Sequence, residues 1–144
     1  MTVAIIAENT KKELMIQFCI AYAGILAKHE ILATRTTGKM VADATGLNIN
    51  CLMPGIGGGE EQIAARCAYN EIDLVLLLRD PTMDYGQTRQ HNEILKQCDI
   101  NNIPVATSLA SAEVMVLALD RGDLDWREIV NPSSSLNKSK RVHY

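Results

Sequence analysis

The run Ile72-Asp73-Leu74-Val75-Leu76-Leu77-Leu78, followed by Arg79-Asp80-Pro81, decides the fold. It is apolar throughout except for Asp73 and does not alternate with polar residues. Such a run reads as a strand buried on both faces, the habit of a parallel sheet covered by helices. Working outward, further short strand-like runs recur at Thr2–Ala7, Glu30–Thr34, Leu47–Met53 and Ile103–Ala106. The segments between them carry helical spacing. Leu14, Met15, Phe18, Tyr22, Ile25 and Leu26 form a stripe that packs on a sheet. After the polar turn Arg35-Thr36-Thr37-Gly38, Met40, Val41 and Ala44 suggest a short helix closed by Gly46. Further helices are predicted over Ile63–Tyr69, residues 88–98 and Ala110–Leu119, the last ending near Gly122. Asn101-Asn102 reads as a turn. The strict strand–helix alternation predicts an α/β fold: a three-layer, doubly wound domain with a five-stranded parallel sheet and right-handed crossovers.

Composition bounds the function. The 144 residues carry a net charge of −3, with 47% hydrophobic and 22% charged residues, which suits a globular chain and excludes disorder. Residues 1–132 read as one domain, and residues 133–144 as a flexible basic tail with Lys138, Lys140 and Arg141. The tail's three cations leave −6 on residues 1–132, so a nucleic-acid footprint is missing. No apolar run approaches the ~18 residues of a membrane span. The N-terminal apolar stretch is too short, and lacks the basic leader, for a signal peptide, which predicts a cytoplasmic protein. Cys19, Cys51, Cys67 and Cys98 share no C-x-x-C spacing and read as small buried hydrophobes. His29, His91 and His143 are scattered, and no metal or cofactor is expected.

Ligands of open α/β sheets bind outside the carboxyl ends of the strands. The segments there are Glu8–Lys12, Arg35–Gly38, Pro54–Glu61, Arg79–Gln87 and Thr107-Ser108. Thr34, Thr36 and Thr37 at a strand-to-helix junction offer hydroxyls and amides to an anion, or a simple threonine N-cap. The loop Pro54-Gly55-Ile56-Gly57-Gly58-Gly59 lets amides approach a ligand, or makes a tight turn. Neither loop fits a nucleotide fingerprint, so ATP and NAD find no support. Lys12 either neutralises a phosphate or is solvated. Asp80 either anchors the following loop or acts on substrate. Glu60 is either an acid favoured by the helix dipole or a general base beside a phosphate pocket.

Four runs together resemble the methylglyoxal synthase family. They are Ala33-Thr34-Arg35-Thr36-Thr37-Gly38, Gly55-Ile56-Gly57-Gly58-Gly59-Glu60-Glu61-Gln62, Asp80-Pro81 and Asn102-Ile103-Pro104-Val105-Ala106-Thr107. The resemblance covers residues 2–120. It implies a homohexamer with sites near subunit contacts. The implied reaction eliminates phosphate from dihydroxyacetone phosphate to give methylglyoxal, without a cofactor. By resemblance Lys12, Thr34, Thr36, Thr37 and Gly55 hold the phosphate, Gly58 and Gly59 keep the loop, and Asp80 stands at a catalytic carboxylate. Glu8 and Arg35 join the ligand-binding set.

The acid–base positions depart from the family's pattern. Glu60 stands for its aspartate base, Glu8-Asn9 for a His-Asp pair, Gln87 for a histidine and Gln90 for an aspartate. Arg35 replaces a glycine and Pro54 a serine. Gln87 can donate a hydrogen bond to an enediolate oxygen but cannot shuttle a proton. Arg35 adds a cation able to take a second phosphate contact or a carboxylate. The reading is therefore a lyase using Glu60, Asp80 and Gln87. Its alternatives are a phospho-metabolite binding or sensing module, and a related enzyme on a different phosphorylated or acidic metabolite.

Overall fold

A computed structural model of the chain describes residues 1–52, 59–82 and 88–142. Five strands alternate with helices: β1 (Thr2–Ala7), α1 (Lys12–Ala21), α2 (Ala23–Leu26), β2 (Glu30–Thr34), α3 (Arg35–Thr45), β3 (Ile49–Leu52), α4 (Glu60–Ala68), β4 (Leu74–Leu78), α5 (Thr88–Asn101), β5 (Val105–Ala106), α6 (Leu109–Arg121), α7 (Arg127–Val130) and α8 (Ser135–Val142). A short 3-10 turn, Asn9–Lys11, joins β1 to α1. The strands form one parallel sheet in the order β3-β2-β1-β4-β5. Its strand order reverses between β1 and β4, the switch point where such sheets open a ligand crevice.

The predicted α/β architecture is the observed one. Alternation along each strand sends residues to two separate apolar layers. Val3, Ile5, Leu74 and Leu76 pack with Met15, Phe18, Val41 and Val116 on one face. Ala4, Ile6, Val75 and Leu77 pack with Ile63, Cys67, Ile94 and Cys98 on the other. β4 is buried along its whole length, which explains its unbroken apolar run.

Several boundaries differ from the sequence reading, for physical reasons. Arg35-Thr36-Thr37-Gly38, expected as a turn before a short helix, is the first turn of α3, which starts directly at the end of β2. α4 begins at Glu60 rather than Ile63, and α5 runs on through Asn101. These additional turns are polar, so apolar periodicity does not mark them. The strand runs at Ile72, Leu47 and Ile103 shorten to β4, β3 and a two-residue β5. Where residues 133–144 read as a flexible tail, the structure has α8, and Asn137 Nδ2 donates to the carbonyls of Ile129 and Asn131.

Asp73, the polar break before β4, belongs to a buried polar cluster at the amino edge of the sheet. One carboxylate oxygen accepts from the Thr2 amide at 2.8 Å. The other accepts from Arg127 Nε at 3.2 Å and Asn131 Nδ2 at 3.0 Å. Arg127 is completely buried, and it also donates to Asn70 Oδ1 and to the carbonyls of Asn101 and Ile72. A buried guanidinium holds only when its donors are met this way. The cluster fastens α7 beneath the sheet, at the edge opposite the ligand crevice.

Candidate functional site

The site is built at the carboxyl ends of β1, β2 and β4. β2 ends at Thr34 and α3 starts at the next residue, so the first turn of α3 opens at this edge. Thr34 is the residue at the cap, but its side chain makes no capping bond. By contrast, α6 is capped by Ser108, whose hydroxyl accepts from the Ser111 amide. An uncapped helix start keeps its first amides available to an anion. Thr37 is buried, and its hydroxyl lies 3.3 Å from Lys12 Nζ, the donor of that pair, which reaches across from the first turn of α1. Thr36 and Arg35 are exposed at the same helix start.

Close packing fixes this helix start. Gly38 is buried in α3, and a Cβ there would lie 2.6 Å from Cys51 Sγ and 3.1 Å from Ala33 Cβ. Glycine thus lets α3 sit against β2 and β3 and sets the height of the two threonines. Gly59, at the N-cap of α4, has φ of +96°, a left-handed backbone that favours glycine. It turns the chain into α4 so that Glu60, the first helical residue, is buried with its carboxylate inward.

Glu60 and Lys12 sense each other. Burial pushes the Lys12 ammonium below the ordinary lysine value, and the Glu60 carboxylate pulls it back up. The Lys12–Thr37 pair and the Glu60 carboxylate are therefore electrostatic neighbours. Beside Glu60 a cavity of about 370 Å³ runs between the first turns of α4 and α5, lined by Glu61, Arg89, Gln90 and Glu93 among others.

Glu8 and Asp80 meet at the switch point. Past the end of β1 the Glu8 amide still donates to the Leu78 carbonyl, so the two strand ends stay paired. The Asp80 amide donates to Glu8 Oε2 at 2.6 Å. The Asp80 carboxylate points elsewhere: it accepts from the Thr10 hydroxyl at 2.6 Å, and from the Thr82 hydroxyl at 2.6 Å and amide at 3.0 Å. Those hydrogen bonds, Thr10's first, hold its carboxyl below the usual carboxylate range. Of the two readings of Asp80, loop anchor and substrate contact, these bonds describe an anchor. Glu8, placed with the ligand-binding residues by the sequence, is buried at this edge, with one oxygen accepting from the Asp80 amide and the other 3.4 Å from His91 Nδ1.

The comparisons with known proteins meet this geometry. A family model described as an MGS-like domain matches residues 15–107. The chain is 51% identical over 141 residues to a methylglyoxal synthase of Caldicellulosiruptor saccharolyticus, covering 98% of this chain and 100% of that one. The chain belongs to the methylglyoxal synthase family. A methylglyoxal synthase of Clostridioides difficile is 45% identical over 142 residues, covering 99% of this chain and 100% of its own. The crystal structure of the Elizabethkingia anophelis methylglyoxal synthase superposes with a TM-score of 0.69 at 28% identity, covering 80% of this chain and 76% of that one.

Within this methylglyoxal synthase fold, Lys12, Thr34, Thr36, Thr37, Gly59 and Glu60 gather at one edge, with Arg35 on its rim. Gln87, Gly55 and Gly58 lie outside the described residues, as does Pro54. Sequence reasoning missed His91, which it counted among scattered histidines. His91 is buried in the first turn of α5, with Nδ1 3.4 Å from Glu8 Oε1 and Nε2 3.5 Å from Glu60 Oε1. The available signal was its place: a histidine in the first turn of a helix that opens at the ligand edge. The two ring nitrogens face opposite carboxylates, so the three groups do not converge on a common point for a metal. Among the described residues no cluster of histidine, cysteine and carboxylates fit for a metal occurs, and no helix is long and apolar enough to cross a membrane.

Proposed function

We propose that this chain is a carbon–oxygen lyase that eliminates phosphate from dihydroxyacetone phosphate to give methylglyoxal. The observation that carries the reading is the adjacency of the Lys12–Thr37 contact, at the uncapped start of α3, to the inward Glu60 carboxylate. A phosphate seated on that helix start meets amides, the Thr34, Thr36 and Thr37 hydroxyls, and the Lys12 ammonium. Gly55 adds an amide from the glycine loop. Glu60 then takes a proton from the carbon next to the carbonyl. The released electron pair forms an enediolate, Gln87 donates a hydrogen bond to its oxygen, and the pair collapses to break the C–O bond to phosphate. The enol left behind tautomerises to methylglyoxal and the proton held by Glu60 leaves with the phosphate, so substrate equals product plus phosphate and no cofactor enters. Asp80 positions the site by holding the loop and by fixing Glu8.

Family membership supports a cytoplasmic homohexamer as the working form. Arg35 favours a second reading. It is an exposed cation at the phosphate end, with no ion pair among the described residues, and it suits a related enzyme on a larger or more acidic phosphorylated metabolite, or a phospho-metabolite sensor.

The anion half of the site is tested by calorimetry with inorganic phosphate. Thr37→Val keeps the volume and removes the hydroxyl that meets Lys12. A hydrogen bond to a charged group contributes about 1.5–3 kcal/mol, so affinity should fall about ten-fold or more. Unchanged affinity in this variant removes the proposed cradle.

A further inference from the structure

The lyase reading leaves one buried titratable group without a task. His91 is 2% exposed and sits between two carboxylates that are themselves largely buried. Glu8 cannot turn away, because its other oxygen accepts from the Asp80 amide at 2.6 Å. Nε2 has no hydrogen-bond partner among the described residues, and the Glu60 carboxylate oxygen lies 3.5 Å from it.

Ionised carboxylates only accept hydrogen bonds, and a neutral imidazole carries a proton on one nitrogen and a lone pair on the other. In either neutral tautomer, one lone pair faces a carboxylate oxygen. Inside a protein that repulsion is weakly screened. A proton on each nitrogen turns that repulsion into an ion pair on both sides. We propose that His91 is a positioning residue: a buried imidazolium held at ion-pair distance between Glu8 and Glu60, whose charge keeps Glu60 ionised as the proton acceptor. The proposal rests on the reading of Glu60 as the base, and extends it by naming what holds that base ready.

The groups facing the pair from each side fit this role. Glu8 comes from the end of β1 and Glu60 from α4. Lys12 of α1 is a second cation acting on Glu60. From the end of β4 Asp80 presents its amide, while its carboxylate is taken by Thr10 and Thr82. On α5 itself, Arg89 and Glu93 line the cavity beside Glu60 rather than the ring.

The test is NMR of the full-length protein with 15N-labelled imidazole and 13C-labelled glutamate side chains, His91 and Glu60 signals being assigned by their loss in H91Q and E60Q. At neutral pH both nitrogens of His91 should carry a proton, and in Glu8→Gln only one should. Removing the ring's charge in His91→Gln should move the Glu60 carboxyl signal's titration toward higher pH than in wild type. A His91 ring neutral at pH 7 in wild type, or a Glu60 titration unmoved by a folded His91→Gln, overturns the proposal. If His91→Gln fails to fold, Glu8→Gln keeps the ring in place and the nitrogen shifts decide alone. Neither readout needs turnover, so a protein that shows the imidazolium but releases no phosphate from dihydroxyacetone phosphate refutes the lyase reading separately. Where turnover is present, the acid limb of kcat/KM should rise in His91→Gln by the same shift as the Glu60 titration, and a limb that stays in place also overturns the proposal.

Discussion

Replacing Gly38 by alanine tests how the start of α3, the proposed phosphate end of the site, is built. The added Cβ would lie 2.6 Å from Cys51 Sγ, 3.1 Å from Ala33 Cβ and 3.4 Å from Ile49 Cγ2. The first distance is too short for any real contact, and the second is tight. Cys51 can relieve part of it by swinging its thiol, but Ala33 is a completely buried residue of β2 and cannot yield without moving the strand. Alanine gains up to about 1 kcal/mol of helix propensity over glycine, whereas overpacking costs about 1–3 kcal/mol. The balance is a loss of about 1–2 kcal/mol. For a domain of this size that lowers Tm by roughly 2–8 °C. Differential scanning calorimetry of Gly38→Ala measures it. In a Cys51→Ala background the shortest contact is gone, and the same change should cost about 1 kcal/mol less, a coupling that a double-mutant cycle reads directly. Phosphate affinity should fall with stability, because α3 must lift from the sheet and carry Thr36 and Thr37 with it. A Gly38→Ala protein as stable as wild type, with no coupling to Cys51, refutes the close seating of α3.

Further predictions concern the opposite edge of the sheet and the titration of Lys12. Asp73→Asn removes the charge that answers the fully buried Arg127, and should destabilise the fold by about 3 kcal/mol or more in urea unfolding while leaving phosphate affinity unchanged; loss of affinity would tie that edge to the site. Burial holds Lys12 below its ordinary 10.5, and a bound phosphate favours the charged ammonium. Phosphate affinity should therefore decline at a lower pH than an ordinary lysine would cause, and Lys12→Arg, which stays charged, should abolish that decline. The sign for folding is opposite: the unfolded chain binds more protons at this group, so its contribution to stability rises with pH across the interval between the folded and unfolded values.

The strands were legible because burial on two faces leaves an unbroken apolar record, as in Leu74–Leu78. The carboxyl edge was legible because a parallel sheet must place its strand-to-helix loops there, and because Thr34, Thr36, Thr37 and Gly59 mark strand–helix junctions whether they serve as caps and turns or meet a ligand. The helix starts were hidden. Arg35 and Glu60 open their helices with polar turns that face the site, and a polar turn carries no apolar period. Hidden for a different reason were the partners of buried charges. Asp73 was visible as a break in β4, but its cation, Arg127, lies 54 residues away. Glu8 was visible at a strand end, but that position does not say that the Asp80 amide, 72 residues on, and His91 will face its oxygens. Residue type and position thus reveal which edge of the sheet gathers its polar loops, while the pairing of charges becomes visible only when the chain is folded.

The most direct measurement of the central claim is phosphate release from dihydroxyacetone phosphate by the purified wild-type protein, with methylglyoxal trapped as product and Glu60→Gln as the control. The account predicts release that depends on Glu60, with Glu60→Gln still binding phosphate. Wild-type protein that binds phosphate yet releases none above the Glu60→Gln control would contradict it, and would leave an anion-binding site without this chemistry.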